Sequence, residues 1–487
     1  MTETDYGNWL RSPSSIKCIL VEVKVNNGSE TTFYLSDKGY TTSPADSPAN
    51  TAYLPIIKGG LGVSSSLPLD GSPSLSWGDI EIDNTQADRD DWLFYTWKNK
   101  QVQVFLGDVS WPRSDFKLVF QGKVDDLSSN ARDTLFLSIR DKMNDLNNSI
   151  SEVILGGTTT QKDSLIPLCF GEVHNVEPLL IDPVLLKYQV HNGAIERIIE
   201  VRDNGVPVSF TATLGSGTFV LANSPVGTIT CSVQGAKFSG SYYNTAGDLT
   251  YHIIKTYGLN PLTGSDIDLS NFISFISAHP QPVGIYLSDK TNILSVVSEL
   301  LSSVGASLTV NPEGKFQIQK INLPSVSYAH TVSKKDMKEK SFRVATKEQV
   351  QAAIVLRYCR NYLVQENLQS GLPAEHLALY AKEWLEAKVS DNVVASNFSV
   401  STTVEPQETA LLVTTDASTE ATRRLNLYKV QRYSYSFSTD LSKLRMNVGD
   451  YVQVTQDRFG FTTPKVCQII SKNIDWFNNN IEFEVLT

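Results

Sequence analysis

Runs in which apolar and polar residues alternate recur along this chain, and that pattern narrows its possible folds more than any other feature. A period of two puts one side of an extended segment in a core and the other in water. Val102, Val104 and Leu106 show it, as do Leu135, Leu137 and Ile139, and Ile80 with Ile82. Asn26-Asn27-Gly28 and Asp203-Asn204-Gly205 supply hairpin turns between such runs, because Asn and Gly accept the positive φ that a tight turn requires. The expected fold is mainly β with a smaller α+β part, in several domains.

The first third reads as strands at 16–25, 32–35, 102–106, 116–124 and 135–139, with a short helix over 87–97 burying Trp92 and neighbouring aromatics. Residues 36–74 are crowded with Ser, Pro, Gly and Asp and read as a long surface loop. Its apolar residues Tyr53, Leu54, Ile56, Ile57 and Leu61 allow two readings: anchors for a neighbouring subunit, or a further strand of the same barrel. Gly156 to Thr160 marks a boundary. Strands follow at 195–201 and 206–210, with a further hairpin over 217–233. Thr245 with Asp248 forms a capping pattern ahead of Leu249, Ile253 and Tyr257. A second helix, from about Asp289, carries Ile293, Val297, Leu300 and Leu301 on one face and stops at Gly305. A hairpin then turns at Asn311-Pro312-Glu313-Gly314. The last third predicts a strand at 351–358, helices over 374–388 (Leu377, Tyr380, Trp384) and 418–427, and strands at 430–437, 451–455, 466–470 and 481–486. The resulting division is 1–165, 166–240, 241–330 and 331–487.

At 487 residues with 19% charged side chains, the chain is long enough for several cores and too apolar for general disorder. No apolar run reaches the ~18 residues of a membrane-crossing helix. The N-terminus has no signal-peptide pattern, so synthesis and folding in a cytosol are expected. Residues 1–165 carry 15 basic and 22 acidic groups, residues 166–330 carry 8 and 12, and residues 331–487 carry 19 and 18. An acidic front and a neutral back disfavour stable nucleic-acid binding, which needs a basic surface.

Several constellations could carry chemistry. Asp79, Glu81, Asp83, Asp88, Asp90 and Asp91 are the densest acidic cluster. Paired carboxylates could bind a metal or act on a glycoside; the favoured reading is the wet face of a strand followed by helix-capping residues. The histidines His174, His191, His252, His279, His330 and His376 show no zinc-ligand spacing. Cys18, Cys169, Cys231, Cys359 and Cys467 are too far apart for a metal knuckle and read as buried thiols. Gly59, Gly60 and Gly62 match no phosphate-binding loop. The basic run Lys334, Lys335, Lys338, Lys340, Arg343 and Lys347 could meet an acidic partner or DNA, with a solvated linker face favoured. No catalytic, cofactor or metal residue is assigned, and no enzyme activity is expected.

Two stretches resemble a known family. Ile166 to Val208 and Met446 to Leu486, the latter with Gly449-Asp450-Tyr451-Val452, Phe459-Gly460 and a closing pair of strands, are similar to tail-tip or baseplate hub proteins of long-tailed bacteriophages. The unit 293–321 also looks like the helix and hairpin found inside such hubs. Some relatives hold an iron–sulfur cluster through clustered C-terminal cysteines; only Cys467 follows Cys359 here, so no cluster is expected.

The resemblance implies β-barrel-like tube domains at both ends, 1–165 and about 331–487, bracketing inserted domains. It implies a homotrimeric ring in the virion that continues the tail tube and contacts distal tail, tape-measure and fibre proteins. DNA would pass through its channel without specific binding. A carbohydrate-binding or cell-wall-degrading protein is the alternative.

Overall fold

The computed structural model describes all residues except 1, 13, 68–73, 141, 312, 323–326, 367 and 369. Strands make up 41% of the chain and helices 20%, so the mainly-β class with a smaller helical part holds. The chain forms two compact units: residues 1–144, 309–348 and 432–487 make the first, and residues 145–308 and 349–431 the second.

The first unit contains a nine-stranded sheet. Its order is Tyr40–Thr41, Ala52–Pro55, Glu30–Ser36, Lys17–Asn26, Gln101–Asp108, Lys117–Ala131, Thr134–Arg140, Ile80–Asp83 and Ile57–Gly60. Period-two burial runs through it: Val102, Val104, Leu106, Leu135, Leu137 and Ile139 all face inward, each contributing about 1.5–3 kcal/mol of burial. Ala52–Pro55 lies beside one end of this sheet and Ile57–Gly60 forms the other end, with Ile56 alone between them. One extended stretch can serve both ends only if the sheet curls round on itself. The result is barrel-like, although no closed barrel forms among the described residues.

The described residues of 36–74 are therefore not one surface loop: residues 42–51 stay outside regular structure, while Ala52–Pro55, Ile57–Gly60 and Gly62–Ser66 are strands. Tyr53, Ile56, Ile57 and Leu61 are buried within the chain itself and only Leu54 of the five is exposed, so the further-strand reading stands and the subunit-anchor reading falls. Gly60 has φ +80°, and a Cβ there would lie 1.8 Å from the Asp79 carbonyl oxygen. Glycine is needed where the chain leaves this sheet.

The chain then enters a second, eight-stranded sheet. Its main path runs His330–Ser333, Tyr451–Thr455, Lys465–Asp475, Asn480–Leu486, Tyr433–Thr439 and Arg343–Lys347. The long strand Lys465–Asp475 pairs Tyr451–Thr455 along its first half and Gly62–Ser66 along its second. Here too the two ends of the path are consecutive strands of the sequence. The Gly449-Asp450 pattern is the lock of this sheet. Gly449 has φ +94°, its N–H donates to Ile469 O, and Ile469 N–H returns the bond to Asp450 O. Asp450 Oδ2 accepts from Asn447 N–H at 2.8 Å.

In the second unit, a six-stranded sheet faces a four-stranded one across Val173, Val176, Val190, Val201, Phe219 and Val233. Thr245 Oγ1 accepts from Asp248 N–H and caps the helix Ala246–Thr256; helix Ile293–Ser303 packs beside it. Residues 349–431, grouped by sequence with the C-terminal block, lie in this unit. Ala353–Tyr358 makes a small sheet with Leu385–Ser390 and Gln407–Glu408, covered by helix Thr414–Tyr428. Asn361 ties this part in, accepting from Asn175 Nδ2 at 2.6 Å and donating to the Tyr380 and Lys382 carbonyls.

Four expectations need correction. The helix over 87–97 is a 3-10 turn, Asp90–Phe94, and the buried tryptophan is Trp97. The helix over 374–388 stops at Tyr380, and the rest extends into strand Leu385–Ser390, so Trp384 is not helical. Thr218–Leu221 and Ile229–Phe238 belong to different sheets and form no hairpin together. Helix Leu269–Ala278 was not expected, because its Phe272 and Phe275 face a core that only the folded chain supplies. Pro312, in the expected turn, lies outside the described residues.

The curl of the nine-stranded sheet depends on a nearly buried cluster. Arg113 Nη2 donates to Glu22 Oε1 at 2.6 Å, and its Nε donates to the Tyr53 hydroxyl, which itself donates to Glu22. Arg113→Ala leaves that carboxylate unpaired in a poorly hydrated place and is expected to destabilise the protein by about 3 kcal/mol in denaturant titration. Combining Glu22→Met with Arg113→Met is expected to recover most of that loss.

Candidate functional site

The acidic cluster resolves into separate bonds. Ile80 and Ile82 face the core while Glu81 and Asp83 face outward. Asp83 pairs with Lys58 and Asp88 with Arg89, Asp90 accepts from Asn84 Nδ2 at 2.7 Å, and Asp91 accepts from the Tyr95 hydroxyl at 2.6 Å. The lysine beside Asp83, with Thr85, holds its carboxyl well below the usual range. Asp90 and Asp91 begin the 3-10 turn without a side-chain cap bond. Among the described residues no group of three or more His, Cys, Asp or Glu is placed to hold a metal.

That turn has a defined shape. Trp92 packs on Phe33 at 4.6 Å between ring centres, and Trp97 Nε1 donates to the Trp92 carbonyl at 2.7 Å. With Trp92 turned inward, Leu93 and Phe94 project into solvent, Phe94 at 87% exposure. The expected burial of the aromatics beside Trp92 therefore holds for Trp97 and fails for Phe94, because the 3-10 turn points Phe94 away from the sheet.

The basic run links the two ends of the eight-stranded path: Lys334 and Lys335 lie in a 3-10 turn after His330–Ser333, and Arg343 and Lys347 lie on the last strand. Arg343–Lys347 pairs only with Tyr433–Thr439 among the described residues, and all five of its residues are exposed. Lys334 bonds Asp457 and Arg343 bonds Glu482, so part of the run is neutralised within the chain. Phe459 of the Phe459-Gly460 turn has φ 54° and rests against Phe342 and Tyr435 at 5.7 and 6.1 Å.

The histidines are scattered as their spacing implies. His174 lies 3.3 Å from Glu172, and His330 lies 3.2 Å from Asp450. His252 stacks between Phe238 and Tyr243, and His279 stacks on Phe275. His376 Nδ1 is buried without a bond. His191 is buried, and its Nδ1 accepts from Cys169 N–H at 3.0 Å. Burial pushes its pKa down to about 4.

No cysteine forms a disulfide, and all but Cys359 are buried. Burial, with Asp37 nearby, pushes Cys18 up to about 12, and burial does the same to Cys467. A cavity of about 560 Å³ in the second unit is lined by Tyr188, Tyr286, Tyr362 and one carboxylate residue, Glu177. No helix among the described residues is long and apolar enough to cross a membrane.

This is a β-rich, two-unit chain whose chemistry-bearing groups bond within it and whose distinctive exposed features are surfaces. No protein-family model matches the sequence, and no curated protein does. Among solved structures, it is similar to a tail protein from Neisseria meningitidis MC58 at 11% identity, covering 96% of each chain with a TM-score of 0.39. It is also similar to the 43 kDa tail protein of prophage MuSo2 from Shewanella oneidensis, at 12% identity over 96% of this chain and 98% of that one, TM-score 0.42. A third is prophage tail protein gp18 from Listeria monocytogenes EGD-e, at 11% identity over 91% and 93%, TM-score 0.39.

Two measurements check the buried groups. Below its ordinary pKa near 6.5, His191 takes up a proton in the unfolded chain but not in the folded one. Stability should therefore fall as pH drops from 6.5 to 4, by about 3 kcal/mol in total. The His191 ring resonances should titrate near the lower value. Thiol titration of the native protein should label Cys359 alone, and unfolding should expose all five cysteines.

Proposed function

We propose that this chain is a structural hub of a phage-type tail tip or baseplate, assembling as a trimeric ring in the virion that continues the tail tube. One observation carries the reading. The first and last parts of the chain fold into one unit holding two curled sheets, and most of the intervening residues form the other unit. That supports the bracketing the family resemblance implies, with boundaries at 144, 309, 348 and 432 in place of 165 and 331.

In this reading the first unit builds the tube and the second contacts distal tail, tape-measure and fibre proteins. Curled sheets suit a ring, because they leave few long open edges except where subunits meet. The chain's net charge of −10 suits a channel through which DNA slides, since like charge repels the phosphates. In this reading the role is structural, which the engagement of four carboxylates of the acidic cluster by Lys58, Arg89, Asn84 and Tyr95 supports.

Light scattering of the purified chain at micromolar concentration should give three times the monomer mass, and negative-stain images should show rings. A monomer throughout, or soluble sugar released from cell-wall polymers, would overturn the reading in favour of a cell-wall-directed protein.

A further inference from the structure

We propose that copies of this chain join head to tail, the acidic knob Asp88–Phe94 of one seating on the basic, aromatic sheet edge Arg343–Lys347 with Phe459 of the next. This rests on the ring reading above and adds which faces meet.

The knob is a preorganised anchor. Phe94 is 87% exposed and Leu93 39%, yet both sit on a turn held by the Trp92–Phe33 contact and the Trp97–Trp92 hydrogen bond. An apolar pair fixed in water on a rigid turn loses little conformational freedom on binding, and large aromatic residues are frequent interface anchors. Asp88 and Asp91 flank it with negative charge that Arg89 offsets only in part.

The edge has the complementary features. Arg343–Lys347 ends its sheet, so its outer row of N–H and C=O groups lacks a strand partner among the described residues; such an edge readily pairs with another chain. Val344 lies opposite Tyr435 in the register, and Phe459 packs on the same tyrosine. Both are partly exposed, at 40% and 41%, and form an apolar floor for Leu93 and Phe94. Lys347 on the same strand, Arg458 next to Phe459, and Lys338, whose N–H donates to Ser438 O, add positive charge here and make no ion pair among the described residues.

The charges also choose the symmetry. Two knobs repel each other, as do two edges, so a back-to-back dimer through either face is disfavoured. A knob on an edge satisfies both, and because the two patches differ, the contact repeats from copy to copy and closes into a ring when the rotation permits. Both halves of the complementary pair belong to this chain, which makes a second copy the occupant.

Charge reversal in the full-length chain tests this. Asp88→Lys with Asp91→Lys reverses the knob and leaves Asp90, which bonds Asn84, in place; Lys338→Glu with Lys347→Glu reverses the edge. Each double variant should weaken self-association about tenfold or more by light scattering, while the quadruple variant should restore it. Circular dichroism and thermal melting identify any variant that fails to fold. As a second readout, Phe94→Cys with Val344→Cys should give disulfide-linked multimers on mild oxidation, and neither single variant should. A wild-type oligomer unmoved by either reversal, and not trapped by the cysteine pair, places the interface elsewhere and overturns this proposal while leaving the ring reading intact. Loss on edge reversal alone, without restoration in the quadruple variant, assigns the edge to a different acidic partner and also overturns it. A monomeric wild type removes both readings.

Discussion

The Arg113–Glu22–Tyr53 cluster is the contact on which the first unit depends. Arg113 also stacks over the Phe105 ring at 3.7 Å, and its backbone N–H donates to Asp46 at 3.0 Å. It thereby fastens the stretch around Tyr53 to the central strands Lys17–Asn26 and Gln101–Asp108. Burying a charge is unfavourable unless it is paired and hydrogen-bonded. This cluster meets both conditions and so admits one arrangement of the segment that joins the sheet's two ends. Without it, Ala52–Gly60 would have the composition of a loop and little reason to be anything else.

The second unit is joined by an uncharged device with the same logic. Asn175 has φ 53° and spends its amide on Asn361 and the Leu363 carbonyl. Asn361 spends its own on two further carbonyls. Unpaired amides in a core are costly, so these two residues specify which distant stretches meet. A buried ion cluster does similar work on helix Thr414–Tyr428. Glu420 accepts from Arg423 and Arg424, and Arg424 reaches the Ser302 carbonyl at the end of helix Ile293–Ser303. In both units, polar contacts between residues far apart in sequence decide which parts of the chain fold together.

Lys472 shows the same economy at the Gly449-Asp450 turn. It is buried, and its ammonium donates to the Leu444 carbonyl and to Asn447 Oδ1, while burial pushes its pKa down to about 7. The turn that carried the family resemblance is thus held by a cation, a carboxylate and a glycine with positive φ, each for a stated physical reason. The resemblance lies in residues that build a strand junction rather than in residues that do chemistry.

Local pattern was enough for much of this protein. Strand alternation placed Val102 to Leu106 and Leu135 to Ile139, and turn chemistry placed Asn26-Asn27-Gly28 and Asp203-Asn204-Gly205. Capping placed the helix after Thr245, because period and hydrogen-bonding capacity are properties of a few adjacent residues. The acidic strand face at Ile80–Asp83 was legible for the same reason. Tertiary structure decided the rest. Ile57–Gly60 and Gly62–Ser66 became strands because Ile80–Asp83 and Lys465–Asp475 pair with them. Trp384 left its helix, and Leu269–Ala278 gained one. Residues 349–431 joined the second unit through Asn361. Phe94 became exposed because Trp92 and Trp97 took the interior positions beside it. Most of these outcomes depend on contacts between residues tens to hundreds of positions apart, and a window of local periodicity contains no term for them.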